Sequence, residues 1–162
     1  MGQNLQSRPL TTDAFAPFGD ILDAHGAPDK MINQGCCGRY HDRARLSFGE
    51  RGRAGVSIFK GDICKFPIKI ELVERHPDGS QAFIPMSENP FLVVVAPDDD
   101  GTPQAPQAFL TAPGQAINFH RNIWHGVLTP LTEPGLFAVI DRIGNTPNLE
   151  EHWYETPYIV DI

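Results

Sequence analysis

The residues best suited to chemistry lie at the ends of two segments that have the pattern of β-strands. Glu74 and His76 follow a run that begins at Ile68, and His120 ends a run that begins at Ala116. Because side chains alternate between the two faces of a strand, Glu74 and His76 share a face with the aliphatic residues at alternate positions before them. An apolar face that ends in a carboxylate and an imidazole is typical of a barrel interior that opens into a polar mouth.

Gln81 belongs to the same predicted group, because a Pro-Asp-Gly-Ser turn would return the chain beside Glu74 or His76. The spacing Glu74-x-His76-x4-Gln81, followed later by Pro-Gly-x5-His120, resembles the two motifs of the cupin superfamily. Cupins typically close a metal site with such residues inside a small β-barrel. Two imidazoles and one carboxylate can hold a non-haem divalent ion, so His76, His120 and Glu74 are the candidate ligands. The amide of Gln81 is a weak ligand, so the pattern permits a metal without requiring one.

Longer segments resemble the ureidoglycolate lyase family over most of the chain. They are residues 74–86 (ERHPDGSQAFIPM), 90–97 (PFLVVVAP), 119–128 (FHRNIWHGVL), 140–145 (IDRIGN) and the short match at 39–42 (RYHD). The resemblance implies an enzyme that splits (S)-ureidoglycolate into glyoxylate and urea, late in allantoin breakdown and so in purine degradation. It also implies a cupin-fold homodimer, with a divalent ion, nickel, associated with some members. Gly126 and Ile143 depart from the common family pattern.

The reaction that the resemblance implies needs a base, an acid and a cation for the substrate carboxylate. We expect His76 or Glu74 to be the base and His120 to be the partner acid or a metal ligand, with Gln81 in the same catalytic group. The planar fork of an arginine pairs with a carboxylate through two hydrogen bonds. The candidate substrate-binding residues are Arg39, Tyr40, His41, Arg75, Arg121, Asn122, Trp124 and His125.

Structural roles compete with these assignments at several positions. Arg75 alternates away from Glu74, so a salt bridge or a neighbouring subunit could use it instead. His125 fits an interface as well as a pocket. Arg142 is expected to brace the fold, with the adjacent Asp141 as its partner.

The rest of the sequence predicts one all-β domain over residues 1–162, a cupin-type barrel of two antiparallel sheets with a few short helices. Short apolar runs alternate with turns rich in Gly and Pro, each of which occurs 15 times. The predicted strands are 56–59, 68–74, 81–86, 91–96, 108–111, 116–120, 125–128 and 136–141. Short helices are predicted at 13–18, capped by Thr11 or Thr12, and at 149–154, capped by Asn148. Residues 35–53 are predicted to be loop, interrupted at most by a short strand.

Composition excludes several classes of partner. The net charge is −7 without basic runs, which argues against binding to nucleic acid or to an anionic membrane. No apolar stretch approaches the roughly 20 residues of a spanning helix, and the first residues lack a secretory apolar core. Three cysteines form no disulfide framework, so we expect reduced thiols in a cytoplasmic protein. The run 91–96 is apolar on both faces, which indicates cover by a second sheet or a partner.

Two other classes of function fit the same pattern. One is a metal-dependent cupin oxygenase or isomerase acting on another small acid, against which the weak Gln81 ligand counts. The other is a barrel that binds a small acid without turning it over.

Overall fold

The computed structural model describes residues 2–161, and almost all of their regular structure is β-strand. In chain order the elements are β1 (Gln3–Pro9), α1 (Thr12–Phe15), β2 (Gly19–Leu22), β3 (Lys30–Ile32), a 3-10 turn (Asn33–Gly35), β4 (Cys37–Arg39), β5 (Arg53–Lys60), β6 (Ile68–Arg75), β7 (Gln81–Pro85), β8 (Phe91–Ala96), β9 (Asp98–Asp99), β10 (Thr102–Pro103), β11 (Gln107–Leu110), β12 (Ala116–Phe119), β13 (Trp124–His125), β14 (Thr129–Pro130), β15 (Leu136–Ile143) and β16 (Glu150–Asp161). No helix among these residues is long and apolar enough to cross a membrane.

Two sheets carry the fold. Seven strands follow the order β11-β1-β16-β6-β13-β8-β14, and β8 also pairs with β11, so six of them close into a barrel. The other sheet has the order β2-β12-β7-β15-β5. This confirms the predicted all-β barrel, with one difference: β1 pairs in parallel with both β11 and β16, so the barrel is mixed rather than antiparallel.

The central strand β8 is buried on both faces by this chain itself. Val93 and Val95 pack with side chains of the five-stranded sheet, whereas Leu92 and Val94 pack with Val160 and other residues of the barrel strands. All six residues of β8 are at most 3% exposed. Each fully buried aliphatic or aromatic side chain contributes about 1.5–3 kcal/mol to folding. The expected cover over this strand is therefore a second layer of the same molecule.

Most of the predicted strands are observed, and two of the predicted elements are wrong. The run predicted at 125–128 is wrong in its bounds, because its residues divide between β13 and the segment before β14. The helix predicted at 149–154 is also wrong, since those residues begin β16, which pairs with β6 on one side and β1 on the other. Pairing with β6 overrides the weak local preference of this short acidic segment for helix. Strand β1 was not predicted.

The first short helix and the long loop agree better with prediction. Thr11 caps α1 by accepting a hydrogen bond from the Ala14 amide, although the helix ends at Phe15. The segment predicted to be loop contains only the short strand β4 before β5 begins. Part of it crosses the outer face of the five-stranded sheet, where the amides of Arg45 and Ser47 donate to Asp20 and Ser80.

Candidate active site

A carboxylate and two imidazoles converge where β6 and β13 lie side by side. Glu74 on β6 and His125 on β13 are direct register partners, so their side chains leave the same face of the sheet. His76 is the first residue after β6. One potential ligand atom from each of the three lies within 4.8 Å of the others. The His76 and His125 ring centroids are 5.3 Å apart, and Glu74 Oε1 lies 3.9 Å from His76 Nε2.

The five-stranded sheet supplies the opposite wall of this site. Gln81 is the register partner of Phe119 on one side and of Asp141 on the other, so the three side chains share one face. The Phe119 ring stacks on the His125 imidazole, with centroids 4.2 Å apart and 5° between the planes. Gln81 meets His76 across the gap. The site therefore lies between the two sheets, above the apolar core that they share.

His125 is held as a neutral imidazole with one free lone pair. Its Nδ1 lies 3.0 Å from the Gly126 carbonyl, which can only accept, so Nδ1 carries the proton. Burial, with a smaller contribution from the neighbouring His76, lowers the pKa of His125 from 6.5 to about 3, although the hydrogen bond to Gly126 acts in the opposite direction. Nε2 is buried without a hydrogen-bond partner among the described residues. An orphaned acceptor of this kind fits a metal ion or a donor group of a substrate.

Both ring nitrogens of His76 contact oxygen atoms of neighbouring residues. The Asn148 carbonyl accepts from Nδ1 at 2.8 Å, and Gln81 Oε1 lies 3.2 Å from Nε2. Gln81 in turn donates from its Nε2 to Asp141 Oδ2 at 3.2 Å. Asn148 also accepts from the Asp78 amide through its side chain, at 2.7 Å. The ring is thus oriented from outside the cluster, and both its nitrogens face oxygen atoms.

Glu74 is a partly desolvated carboxylate. Its side chain is 21% exposed, against 18% for His76. Burial raises the pKa of Glu74 above its usual value; His76 opposes this shift and Glu151 adds to it. Glu74 therefore accepts a proton more readily than a solvated carboxylate, and both residues stay within reach of a small solute.

His120 does not join this cluster, which corrects the prediction that it meets His76 and Glu74. Phe119 packs in the core, so the next side chain leaves the opposite face of β12, together with Asn118. There His120 Nε2 lies 2.9 Å from Asp20 Oδ1, and Asn118 donates to the other oxygen of Asp20. The second imidazole of the site is His125.

Arg75 and Trp124 are engaged with each other on the barrel side of the sheet. The Arg75 guanidinium lies 4.3 Å from the centre of the Trp124 ring and forms ion pairs with Glu150 and Asp98. Trp124 donates from its indole nitrogen to the same Asp98 oxygen, at 2.8 Å. Arg75 therefore has the salt-bridge role expected as the alternative, and its fork does not face Glu74.

The other predicted substrate-binding residues divide into two groups. Asn122 supports the site through its backbone, because its amide donates to the His76 carbonyl at 3.0 Å. The neighbouring Arg121 donates from Nε to the Pro77 carbonyl, and its side chain is 53% exposed.

The group at the end of β4 makes its hydrogen bonds elsewhere. Tyr40 donates to the Gly26 carbonyl, and the His41 amide donates to Asp29. Arg39 is an exposed residue of β4. These three residues are held by the segment before them and have no hydrogen bond to the cluster within residues 2–161.

Three residues of the site were not predicted: Phe119, Asp141 and Asn148. Strand alternation from buried Val139 would have placed Asp141 on the inner face. Asp141 bonds Gln81 rather than Arg142, whose guanidinium donates to the Phe48 carbonyl and to Thr146 instead. The prediction that Asp141 and Arg142 pair is therefore wrong, because neighbours on a strand point to opposite faces.

A family model described as ureidoglycolate lyase matches residues 2–161. The chain belongs to the ureidoglycolate lyase family. It is 54% identical over 159 residues to a ureidoglycolate lyase of Rhodobacter capsulatus, covering 98% of this chain and 99% of the relative. It is 52% identical over 158 residues to ureidoglycolate lyase 2 of Rhizobium meliloti, covering 97% of both chains. A ureidoglycolate lyase of Chelativorans is 48% identical over 157 residues, covering 96% of this chain and 95% of the relative.

This member of the ureidoglycolate lyase family has a group of side chains that fits the ligands of a divalent ion. Glu74, His76 and His125 supply one carboxylate and two imidazoles, a combination used by many non-haem metal sites. His125 has the tautomer that a metal ligand needs, with Nδ1–H bound to a carbonyl and Nε2 free. The predicted ligand set thus fits with His125 in place of His120.

Proposed function

We propose that this protein is a ureidoglycolate lyase, which cleaves (S)-ureidoglycolate to glyoxylate and urea. The observation that carries the proposal is the cluster of Glu74, His76 and His125 between the two sheets, in a chain of this family. The reaction is an elimination. The carbinol O–H bond and the C–N bond break, a C=O bond forms, and the departing urea nitrogen gains a proton. No water is consumed, and one base and one acid suffice.

Glu74 is the proposed base for the hydroxyl proton. A useful general base has a pKa that approaches the working pH, and burial moves the pKa of Glu74 in that direction. Burial moves the pKa of His125 the other way, to about 3, which makes its ring a poor proton carrier. His125 instead offers Nε2 as a fixed acceptor for a donor group of the substrate.

His76 is the proposed acid for the leaving nitrogen. Its Nδ1–H is held by the Asn148 carbonyl, and its Nε2 faces Gln81 Oε1, an acceptor. Each ring nitrogen thus has an oxygen atom to which it can donate. A proton on Nε2 is within reach of a nitrogen atom bound between His76 and Glu74.

The cofactor that we propose is a divalent ion. As an alternative to the acid and base roles given above, Glu74, His76 and His125 would hold a divalent ion such as nickel, which when bound would polarise the substrate hydroxyl and favour loss of its proton. For the substrate carboxylate we favour Arg121 over the other predicted arginines. Its guanidinium donates to the Pro77 carbonyl and to Asp78 and its side chain is 53% exposed, whereas the Arg75 side chain is 13% exposed and pairs with both Asp98 and Glu150.

We further propose that the protein is a cytoplasmic homodimer. The cysteines described in the structure are free, in keeping with a reducing compartment. Strand β5 is an edge of the five-stranded sheet, and its Val56 and Ile58 are 71% and 60% exposed. An apolar edge strand is a surface on which a second copy can pair. Light scattering on the wild type and on Val56→Lys tests this: a dimer that the substitution dissociates supports it, and a monomeric wild type refutes it.

Incubation of purified protein with racemic ureidoglycolate tests the activity. We expect glyoxylate and urea in equal amounts, with half of the racemate consumed and no ammonia released. Glu74→Gln, an isosteric change, is the matched inactive control. Parallel reactions with a chelator, and with nickel added back, decide whether an ion is required. Absence of glyoxylate under every condition would refute the assignment, and binding without turnover would favour a small-acid-binding barrel.

A further inference from the structure

Asp141 and Gln81 form a hydrogen-bonded pair at the wall of the site. In this pair Gln81 is the donor and Asp141 is the acceptor. They are register partners on β15 and β7, so their side chains lie next to each other on the inner face. Gln81 Nε2 donates to Asp141 Oδ2 at 3.2 Å, and Gln81 Oε1 lies 3.2 Å from His76 Nε2. The two ends of the Gln81 amide therefore face different neighbours.

Only one orientation of the amide suits this arrangement. A carboxylate accepts hydrogen bonds and cannot donate them, so the end of Gln81 that faces Asp141 must be the NH2 group. A flipped amide would set two acceptor oxygens against each other. Gln81 is only 6% exposed, so solvent cannot easily satisfy a misplaced group. Asp141 thus turns the Gln81 oxygen towards the cluster.

A bracing role does not account for the Asp141 carboxylate. Within residues 2–161 its one hydrogen bond is the one from Gln81, and no cation lies within ion-pair distance. By contrast, Asp98, which supports the fold, pairs with Arg75. The hydrogen bond that the Asp141 carboxylate accepts instead orients the neighbouring amide of Gln81.

We propose that Asp141 is a positioning residue that makes Gln81 Oε1 a fixed acceptor for the N–H groups of a ureido substrate. This inference rests on the proposed function. An amide oxygen has two lone pairs, of which His76 uses one. The other is free for the ureido nitrogen beside the bond that breaks. Asp141 and Gln81 together then select ureido compounds over acids of similar size that have no N–H group.

A charge-conserving swap tests the proposal. In Asp141→Asn the neighbour can donate as well as accept, so the Gln81 amide is no longer held in one orientation. In the double variant Gln81→Glu with Asp141→Asn, the Glu carboxylate accepts from the new amide and still presents an oxygen to the site. We expect Asp141→Asn to lower kcat/KM at least tenfold, and the swap to recover most of that loss. The proposal is refuted if Asp141→Asn stays within twofold of wild type, or if the swap is no better than Asp141→Asn.

Two inhibitors separate recognition of N–H groups from a general loosening of the site. Hydantoate keeps the carboxylate and the ureido group and cannot be cleaved, whereas glyoxylate has a carboxylate and no N–H. We expect Asp141→Asn to raise the inhibition constant of hydantoate about tenfold and to leave that of glyoxylate within twofold. Equal effects on both would indicate a purely structural role and would overturn the proposal.

A third readout is independent of activity. The side-chain amide signals of Gln81 in a 1H–15N spectrum, assigned by their loss in Gln81→Glu, report its hydrogen bond to Asp141. We expect them to shift and to exchange faster with solvent in Asp141→Asn. If the wild type cleaves no ureidoglycolate but these signals respond, the proposed function fails while the orienting role of Asp141 stands. Unchanged signals would refute the orienting role.

Discussion

The imidazole of His125 lies parallel to the ring of Phe119, with centroids 4.2 Å apart and planes 5° apart. The two residues come from different sheets, so the contact fixes one wall of the site against the other. The stack and the Gly126 carbonyl together set the direction of the free Nε2. The packing of an aromatic core thus positions an acceptor at the edge of that core.

His125→Phe separates the packing role of this ring from its chemistry. Phenylalanine keeps an aromatic ring against Phe119 but has no Nε2, so we expect kcat/KM to fall about 100-fold or more with a melting temperature close to that of wild type. His125→Ala removes the ring as well and should cost about 2–4 kcal/mol of stability. His120→Gln is the matched control and should keep kcat/KM within about threefold. A larger loss in the control than in His125→Phe would restore His120 to the site.

Glu74→Gln removes the proposed base without changing its shape. We expect kcat to fall about 10²–10⁴-fold with little change in KM. The folded pKa of Glu74 is raised, so ionisation opposes folding: its favourable contribution is present below pH 4.5 and is lost as pH rises through the folded pKa. The variant should therefore be more stable than wild type at pH 7 and equal to it near pH 4. Chemical denaturation of both proteins in the presence of chelator measures the difference.

Half of the site follows from local pattern, and the other half depends on pairings that the sequence does not display. Alternation along β6 identifies Glu74 and His76, and a tight turn brings Gln81 back to them. The same rule assigns His120 and Phe119 to opposite faces of β12, but the face that joins the core is decided by contacts with β13. His125 could not be selected over His120 without knowing that it pairs with Glu74.

The missed parts of the fold have a similar cause. The first residues of β16 have the local pattern of a capped acidic helix, and their long-range pairing with β6 makes them a strand. Asn148, expected to cap that helix, instead bonds His76 through its backbone carbonyl. Every residue has a carbonyl, so residue type carries no signal for such a contact. Composition and turn spacing were sufficient for the fold class, whereas closure of the barrel depended on the two ends of the chain.

Arg75 should prove structural rather than substrate-binding. Its guanidinium stacks on Trp124 and bridges Asp98 and Glu150, which a lysine ammonium cannot reproduce in full. We expect Arg75→Lys to lower the free energy of unfolding by about 1–2 kcal/mol, because it loses both the planar stack and one ion pair. KM for ureidoglycolate should stay within about threefold of wild type. A rise in KM of tenfold or more with unchanged stability would instead place Arg75 at the substrate carboxylate.

Asp20 should contribute stability with the opposite dependence on pH to that of Glu74. Burial alone would raise the pKa of Asp20, but hydrogen bonds from the Arg45 amide, Asn118 and His120 outweigh it and hold the pKa below 3.8. A carboxyl with a depressed pKa stabilises the fold above its unfolded pKa, and this contribution disappears as pH falls through the folded value. We expect Asp20→Asn to be less stable than wild type by about 1–3 kcal/mol at pH 6–7, because it loses hydrogen bonds to a charged group, and the gap to narrow as pH falls below 3.8. Urea denaturation at a series of pH values measures it, and a gap that stays constant across the series would show that Asp20 acts by shape rather than by charge.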